Sequence, residues 1–242
     1  VVSSSLNCKN HCSMRSALFL FFPFVLLFSS CGDRSQQVTL EINLEHNGVP
    51  FEIGETLYEG DTAIKFELIH FYLCQIALGD EVKEPVVFIN GQDSASMYFV
   101  LPLTKKVDRF SFGMGVDSIN NIQDPTSFDS NHPLSSSNAM YWSWATMYRF
   151  LKIDGRVNAS GILGVDDQLL AWHTGKNALY RTKEINTAIR PGDHLVLTFD
   201  LATFYSGVSL DTETITHSMV DDYDIAVKLS NNLPTAFSLS VQ

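Results

Sequence analysis

The chain has 242 residues, with 27 Asp and Glu against 16 Lys and Arg, a formal net charge of −11. That balance repels phosphate backbones, which argues against nucleic acid as a partner, and it repels anionic lipid, so any membrane tie must be hydrophobic or covalent. Hydrophobic residues make up 45% of the chain, enough for a full core, and the 17 Phe favour strands over helices.

Residues 1–30 read as an export signal. Met14-Arg15 gives a short positive start, and residues 17–28 are apolar apart from Pro23. This run is too short to span a bilayer and has the length of a signal-peptide core. Ser29-Ser30-Cys31 follows. Small residues before a Cys form the pattern of a lipoprotein signal, in which the Cys31 thiol is acylated. Phe28 takes the third place before Cys31, where Leu is usual. The alternative is an uncleaved apolar anchor. Residues 31–37 then form the lipidated Cys and a polar tether, and 38–242 a single domain. Residues 1–13 read as sequence upstream of a start at Met14, so Cys8 and Cys12 leave with the leader. The mature domain keeps one thiol, Cys74, and no disulfide.

Residues 38–45 alternate apolar and polar without a fault, a half-buried strand, and Asn47-Gly48 is a turn signal. Residues 64–78 predict one long strand or two with a bend, with Phe66, Leu68, His70, Tyr72, Cys74, Ile76 and Leu78 on one parity. Further strands are predicted over 84–89, 97–103, 109–116 and 195–201, with turns at Asn90-Gly91 and Arg190-Pro191-Gly192-Asp193. Residues 117–138, rich in Ser, Asn, Asp and Pro, form a long loop, and such loops are often functional. Only residues 221–231 look helical, with Ser218 or Asp221 near the cap. The expected fold is all-β, an antiparallel β-sandwich or barrel-like domain with long loops and one short C-terminal helix.

No nucleophile elbow, phosphate loop, dinucleotide fingerprint or zinc-spaced His pair is present. Asp and Glu are scattered, so the sequence reads as non-enzymatic. Gly113-Met114-Gly115 fits a crowded bulge better than a phosphate loop. Cys74 reads as an inert core thiol. Of the seven His, His11 lies in the leader. His46 sits at a turn and reads as solvated, His70 as a core His, and His194 as the start of a strand. His132, His173 and His217 have more suggestive neighbours, and neutral imidazole binds copper or zinc. For each alone, a surface loop His is the plainer reading. In Met140-Tyr141-Trp142-Ser143-Trp144, strand alternation puts both Trp on one face. They serve there as a core anchor, a ligand-stacking platform or a redox-modified side chain.

Several segments in order carry a resemblance. Phe71-Tyr72-Leu73-Cys74-Gln75-Ile76-Ala77-Leu78 resembles an early strand motif of the MbnP-like copper-binding family. Phe110-Ser111-Phe112-Gly113-Met114-Gly115-Val116-Asp117 is similar to its Phe-x-Ile-Gly-Val-Asp segment. His132-Pro133-Leu134, the Trp142 cluster and Phe150-Leu151-Lys152-Ile153-Asp154-Gly155 follow in the family's order. The last resembles a Lys-Leu-Glu-Gly signature with Asp154 in the Glu place. Trp172-His173-Thr174-Gly175 and Thr216-His217-Ser218 are similar to its later His motifs. The resemblance implies a β-rich, copper-binding lipoprotein of the cell envelope, anchored at the outer membrane and facing the periplasm. It also implies a partner di-haem enzyme, of the cytochrome c peroxidase or MauG type, that oxidises a Trp to kynurenine. Trp142 and Trp144 are the candidates for that oxidation.

With no free thiolate, the domain offers imidazole, Met and carboxylate. The expected metal is Cu(I), held by His173 with His132 or His217, and with Met140 or Met147 as a soft donor. Arg149 departs from the family pattern, standing where copper-binding members have His. A guanidinium is not a metal ligand. The competing reading is a module for carbohydrate or another apolar-faced ligand, stacking it on Trp142, Trp144, Trp172 and Tyr141. Lipidation has a direct test: Cys31→Ala moves the protein from the membrane to the soluble fraction, and a variant that stays membrane-bound excludes the acyl anchor. Each buried methylene of the acyl chains contributes about 0.8 kcal/mol to anchoring.

Overall fold

The alternation after residue 37 becomes β1 (Gln37–His46), which buries Val38, Leu40, Ile42 and Leu44. The computed structural model describes residues 36–144, 146–164 and 166–242. The leader, Cys8, Cys12 and the Cys31 lipidation site lie outside them. Asn47 and Gly48, at φ 55° and 73°, turn the chain back into β2 (Val49–Pro50), the backbone that a tight hairpin demands. Then come β3 (Leu57–Glu59), β4 (Thr62–Leu78), β5 (Glu81–Asn90), β6 (Tyr98–Pro102) and β7 (Val107–Met114). The one-turn helix α1 (Ser118–Asn121) opens the long connection to β8 (Tyr141–Ser143). β9 (Met147–Asn158), β10 (Gln168–Gly175), β11 (Arg181–Ile189) and β12 (His194–Asp200) follow. α2 (Leu201–Phe204), β13 (Ile215–Thr216), α3 (Tyr223–Ala236) and β14 (Phe237–Val241) complete the domain.

One sheet has the order β14–β12–β1–β2, with β6 also on β1; the other runs β11–β7–β4–β9–β10–β13, with β3 and β5 on β4 and β8 on β9. The expected all-β domain is present, as a curled half-barrel of two mixed sheets. To the antiparallel ladders it adds two parallel pairings, β1 with β12 and β10 with β13. The core lies between the sheets. Leu40, Ile42, Leu197 and Phe199 meet Ile69, Phe71, Ile153 and Trp172 there, and α3 adds Leu229, Leu233 and Ala236. Phe199 and Phe237 stack with centroids 4.5 Å apart. Each such ring contributes roughly 1.5–3 kcal/mol by burial. α3 runs past the predicted end at Asn231, through Pro234, and leads straight into β14. Among the described residues no helix is long and apolar enough to cross a membrane.

β4 departs from the predicted parity. Its register against β9 slips between Phe66 and Leu68, and again along β5 and β7 near Gln75, which sits at φ 53°. These are β-bulges, each of which moves the following side chains to the opposite face. Phe66, Ile69, Phe71, Leu73, Ile76 and Leu78 therefore enter the main core, while Tyr72 and Cys74 join a second cluster with Val116, Leu134, Met140, Tyr148 and Phe150. The 117–140 segment covers that second cluster. Tyr72 and Tyr148 donate hydroxyl hydrogen bonds to the carbonyls of Pro133 and Leu134, at 3.0 and 2.9 Å. Asp117, Asp124 and Ser135 cap its short turns. Cys74 is free and fully buried, and burial pushes its thiol up to about 12, as expected for an inert core thiol. Gly113 and Gly115 lie against the Tyr180 and Phe150 rings, the crowding inferred from the sequence.

Gly155 lies opposite Phe66 where β4 bulges. A Cβ there would be driven into the Lys65 carbonyl oxygen, part of the backbone and unable to swing aside. Gly155→Ala therefore lowers stability by about 3 kcal/mol, the upper part of the overpacking range. Urea unfolding monitored by circular dichroism measures it, and a loss within error of zero refutes the packing argument.

Candidate functional site

β9 and β10 build the floor of the site. Their register sets Ile153 opposite Trp172 and Lys152 opposite His173. Ile153 and Trp172 fill the core, so alternation sends Lys152, Asp154 and His173 to the outer face of the sheet. There the His173 Nε2 lies 2.6 Å from the Asp154 Oδ1, and the Lys152 Nζ lies 3.3 Å from the Asp154 Oδ2. Burial raises the pKa of the Asp154 carboxyl, but the bond from His173 and the charge of Lys152 outweigh it and hold the group below the usual carboxylate range. His173 is 8% exposed, and its Nδ1 is buried without a hydrogen-bond partner. A carboxylate at Nε2 assigns the proton to that nitrogen, so the lone pair of the neutral ring is at Nδ1.

His217 arrives from the next strand. β13 pairs in parallel with β10, Thr216 opposite Trp172, which sets residue 217 beside His173. Asp222 ties the turn that holds it. Its carboxylate accepts from the Thr216 hydroxyl (3.1 Å), the His217 N–H (3.0 Å) and the Met219 N–H (2.8 Å). Ser218, at φ 55°, donates its hydroxyl to the His173 carbonyl at 3.0 Å. The sequence placed the helix cap at Ser218 or Asp221; the N-cap residue is Asp222, and its side chain serves this turn instead of the helix. The two imidazoles stand perpendicular, centroids 4.9 Å apart. Burial first, and then the neighbouring His173, lower the pKa of His217 against the pull of Asp222. Both effects favour the neutral, lone-pair-bearing ring.

Trp142 closes the group. β8 pairs with β9 through Tyr141 opposite Tyr148. The indole meets His217 at 5.3 Å and His173 at 6.3 Å between centroids, both edge-on. The Arg149 guanidinium sits 4.5 Å from the Trp142 ring centroid, a cation–π contact. Trp144 does not share that face. β8 ends at Ser143, where the Thr146 N–H bonds the Ser143 carbonyl at 3.2 Å and turns the chain. Trp144 is left 66% exposed, edge-on to Tyr141.

The other sequence candidates lie elsewhere. The His132 ring stacks on Phe128 at 3.9 Å, and its Nδ1 accepts from the Leu134 N–H, so it pins the 117–140 segment and does not join His173 and His217. Met140 is buried in the second cluster, and the Met147 sulfur accepts from the Tyr141 hydroxyl. Trp172 is fully buried, its Nε1 donating to the Glu213 carbonyl. His46 is buried, not solvated, with its Nε2 2.6 Å from the Tyr205 hydroxyl. Sequence reading missed Asp154 as the partner of His173, and Asp222 altogether. Neither is marked by spacing, because both act through strand register. Among the described residues no three His, Cys, Asp or Glu side chains converge as a metal cluster. The site offers two imidazoles beside an indole, a donor set suited to a soft cation of low coordination number.

The sequence profile of the MbnP family matches residues 35–220. The solved structure of MbnP from Methylosinus trichosporium is similar in fold, with a TM-score of 0.57 and 15% identity, over 86% of this chain and 99% of that one. No curated protein sequence matches.

The depressed Asp154 pKa has a pH signature. The stabilisation it reports is fully present above the unfolded carboxyl value, near pH 4, and is lost as pH falls through the folded value. Asp154→Asn is therefore less stable than the native chain at pH 6, and the gap narrows toward pH 3. Urea midpoints at both pH values measure it; a gap independent of pH removes the Asp154–His173 bond as its source.

Proposed function

The chain belongs to the MbnP family, and on that premise we propose that it is an exported copper-binding lipoprotein in which His173 and His217 hold Cu(I) beside Trp142. One observation carries this reading: the buried Nδ1 of His173 has no partner, while its Nε2 is anchored on Asp154. A carboxylate behind a histidine that presents its other nitrogen is the usual support of a metal-binding imidazole. His217, 4.9 Å away between centroids, supplies the second nitrogen. Two imidazole nitrogens beside an aromatic ring suit a singly charged soft ion better than a hard dication. Copper, when bound, is the cargo of this site, and the protein has no catalytic role of its own.

Trp142, beside both rings, is the residue to be oxidised to kynurenine, whose amine and ketone add donors that indole lacks. A di-haem enzyme of the cytochrome c peroxidase or MauG type catalyses the step, with peroxide as the oxidant and the indole C2 leaving as formate. Acylation at Cys31 holds the domain at the outer membrane, facing the periplasm. The carbohydrate-platform reading has weaker support, since Trp172 is buried, Arg149 occupies a face of Trp142, and Trp144 turns away.

Co-expression of the full chain with its di-haem partner tests the proposal. The tryptic peptide ending at Arg149 carries kynurenine at position 142, and copper retained after dialysis falls sharply in His173→Ala and in His217→Ala. Unmodified Trp142 together with unchanged copper in both variants sinks the reading.

A further inference from the structure

Arg149 is the feature that the copper reading does not absorb. Its Nη1 donates to the Ala139 carbonyl at 3.2 Å, and its Nε is buried with no acceptor. Among the described residues Nη2 makes no hydrogen bond either. Burial lowers its pKa, and the carboxylate that counters this is Asp154, which already engages His173 and Lys152. A buried donor without an acceptor is costly, and a partly buried cation without a counter-ion more so. The Nε–Nη2 edge of a guanidinium is a planar fork that matches two oxygens of one anion. Trp142 lies over the guanidinium, so the edge, not that face, is the direction in which the group can still hydrogen-bond. The second unpartnered buried atom of the neighbourhood is the Nδ1 of His173, whose ring is 6.3 Å from that of Trp142. Two orphaned polar groups thus flank one indole, one of them a permanent cation.

We propose that Arg149 binds a small carboxylate-type anion, such as formate or bicarbonate, on its Nε–Nη2 edge within the His173–His217–Trp142 site. The anion satisfies the buried Nε–H and offsets the guanidinium charge that opposes a metal ion there. Its value to a cation rests on the copper reading above; its binding to Arg149 does not. Geometry selects the class. A two-oxygen planar anion fills the fork, whereas a weakly coordinating anion of equal charge gains only the Coulombic part.

The test uses metal-free full-length protein labelled with ¹⁵N-arginine. Sodium formate is titrated at constant ionic strength, with perchlorate as the balancing salt and the control. The Arg149 Nε–H resonance, assigned by its absence from Arg149→Lys, shifts saturably with formate and not with perchlorate. Calorimetry then gives at least about tenfold weaker formate binding in Arg149→Lys, equivalent to loss of one charge-assisted hydrogen bond. A non-saturating shift, or one that perchlorate reproduces, overturns the proposal. Cu(I) binding is scored separately. Saturable formate without copper uptake leaves the anion site standing and removes the copper reading; copper uptake without saturable formate does the reverse.

Discussion

Two breaks in the register of β4, at Glu67 and Gln75, govern the arrangement of everything around them. A strand of that length with apolar residues on both parities cannot be matched by one core. The breaks assign its side chains in turn, so that Phe66 and Ile69 enter the space between the sheets while Tyr72 and Cys74 enter the outer cluster. Bulges also raise local twist, which suits the curl of the large sheet. Gly155 is the counterpart on β9, since only a residue without a Cβ lets the Lys65 carbonyl come so close. That contact fixes the height of β9 against β4. It therefore fixes where Asp154 stands under His173.

The site is built on strands and tied by carboxylates, not suspended on loops. Asp154 on β9 orients His173 on β10, and Asp222 at the start of α3 orients the turn that carries His217. Each ring is thus set by a different element of the same framework. Groups held this way keep their geometry at little entropic cost when a ligand arrives. On the floor, the Asp154 carboxylate lies between Lys152 and His173 and engages both. The remaining cation, Arg149, rests on the Trp142 ring.

Much of the fold was legible because period-2 alternation needs only local sequence. β1 and β12 read directly, as did the turn at Asn47-Gly48. β9, β10 and β11 were harder. β9 has interior contacts on both faces, so Tyr148, Phe150, Leu151 and Ile153 blur its alternation. The bulges of β4 carry no glycine or proline to mark them, and the parity read through Phe66 and His70 crossed one unseen. At the site, His173, His217 and Trp142 were among the candidates because residue type alone raised them. Their grouping was not readable, nor was the separation of His132 and Trp144. Those depend on which strands are neighbours and on β8 stopping at Ser143. His46 was misread for a related reason: its turn is exposed, but its side chain points back to Tyr205.

Cys74 has a consequence for ligand competition. Thiolate binds Cu(I) more strongly than imidazole does, so an accessible cysteine would capture a soft ion before any histidine pair. Enclosed by the 117–140 segment, with its proton retained up to about 12, Cys74 offers no such trap. It also presents no sulfur to a neighbouring molecule. The cover over the second cluster thereby acts as chemical insulation, keeping the thiol of Cys74 from a visiting metal ion.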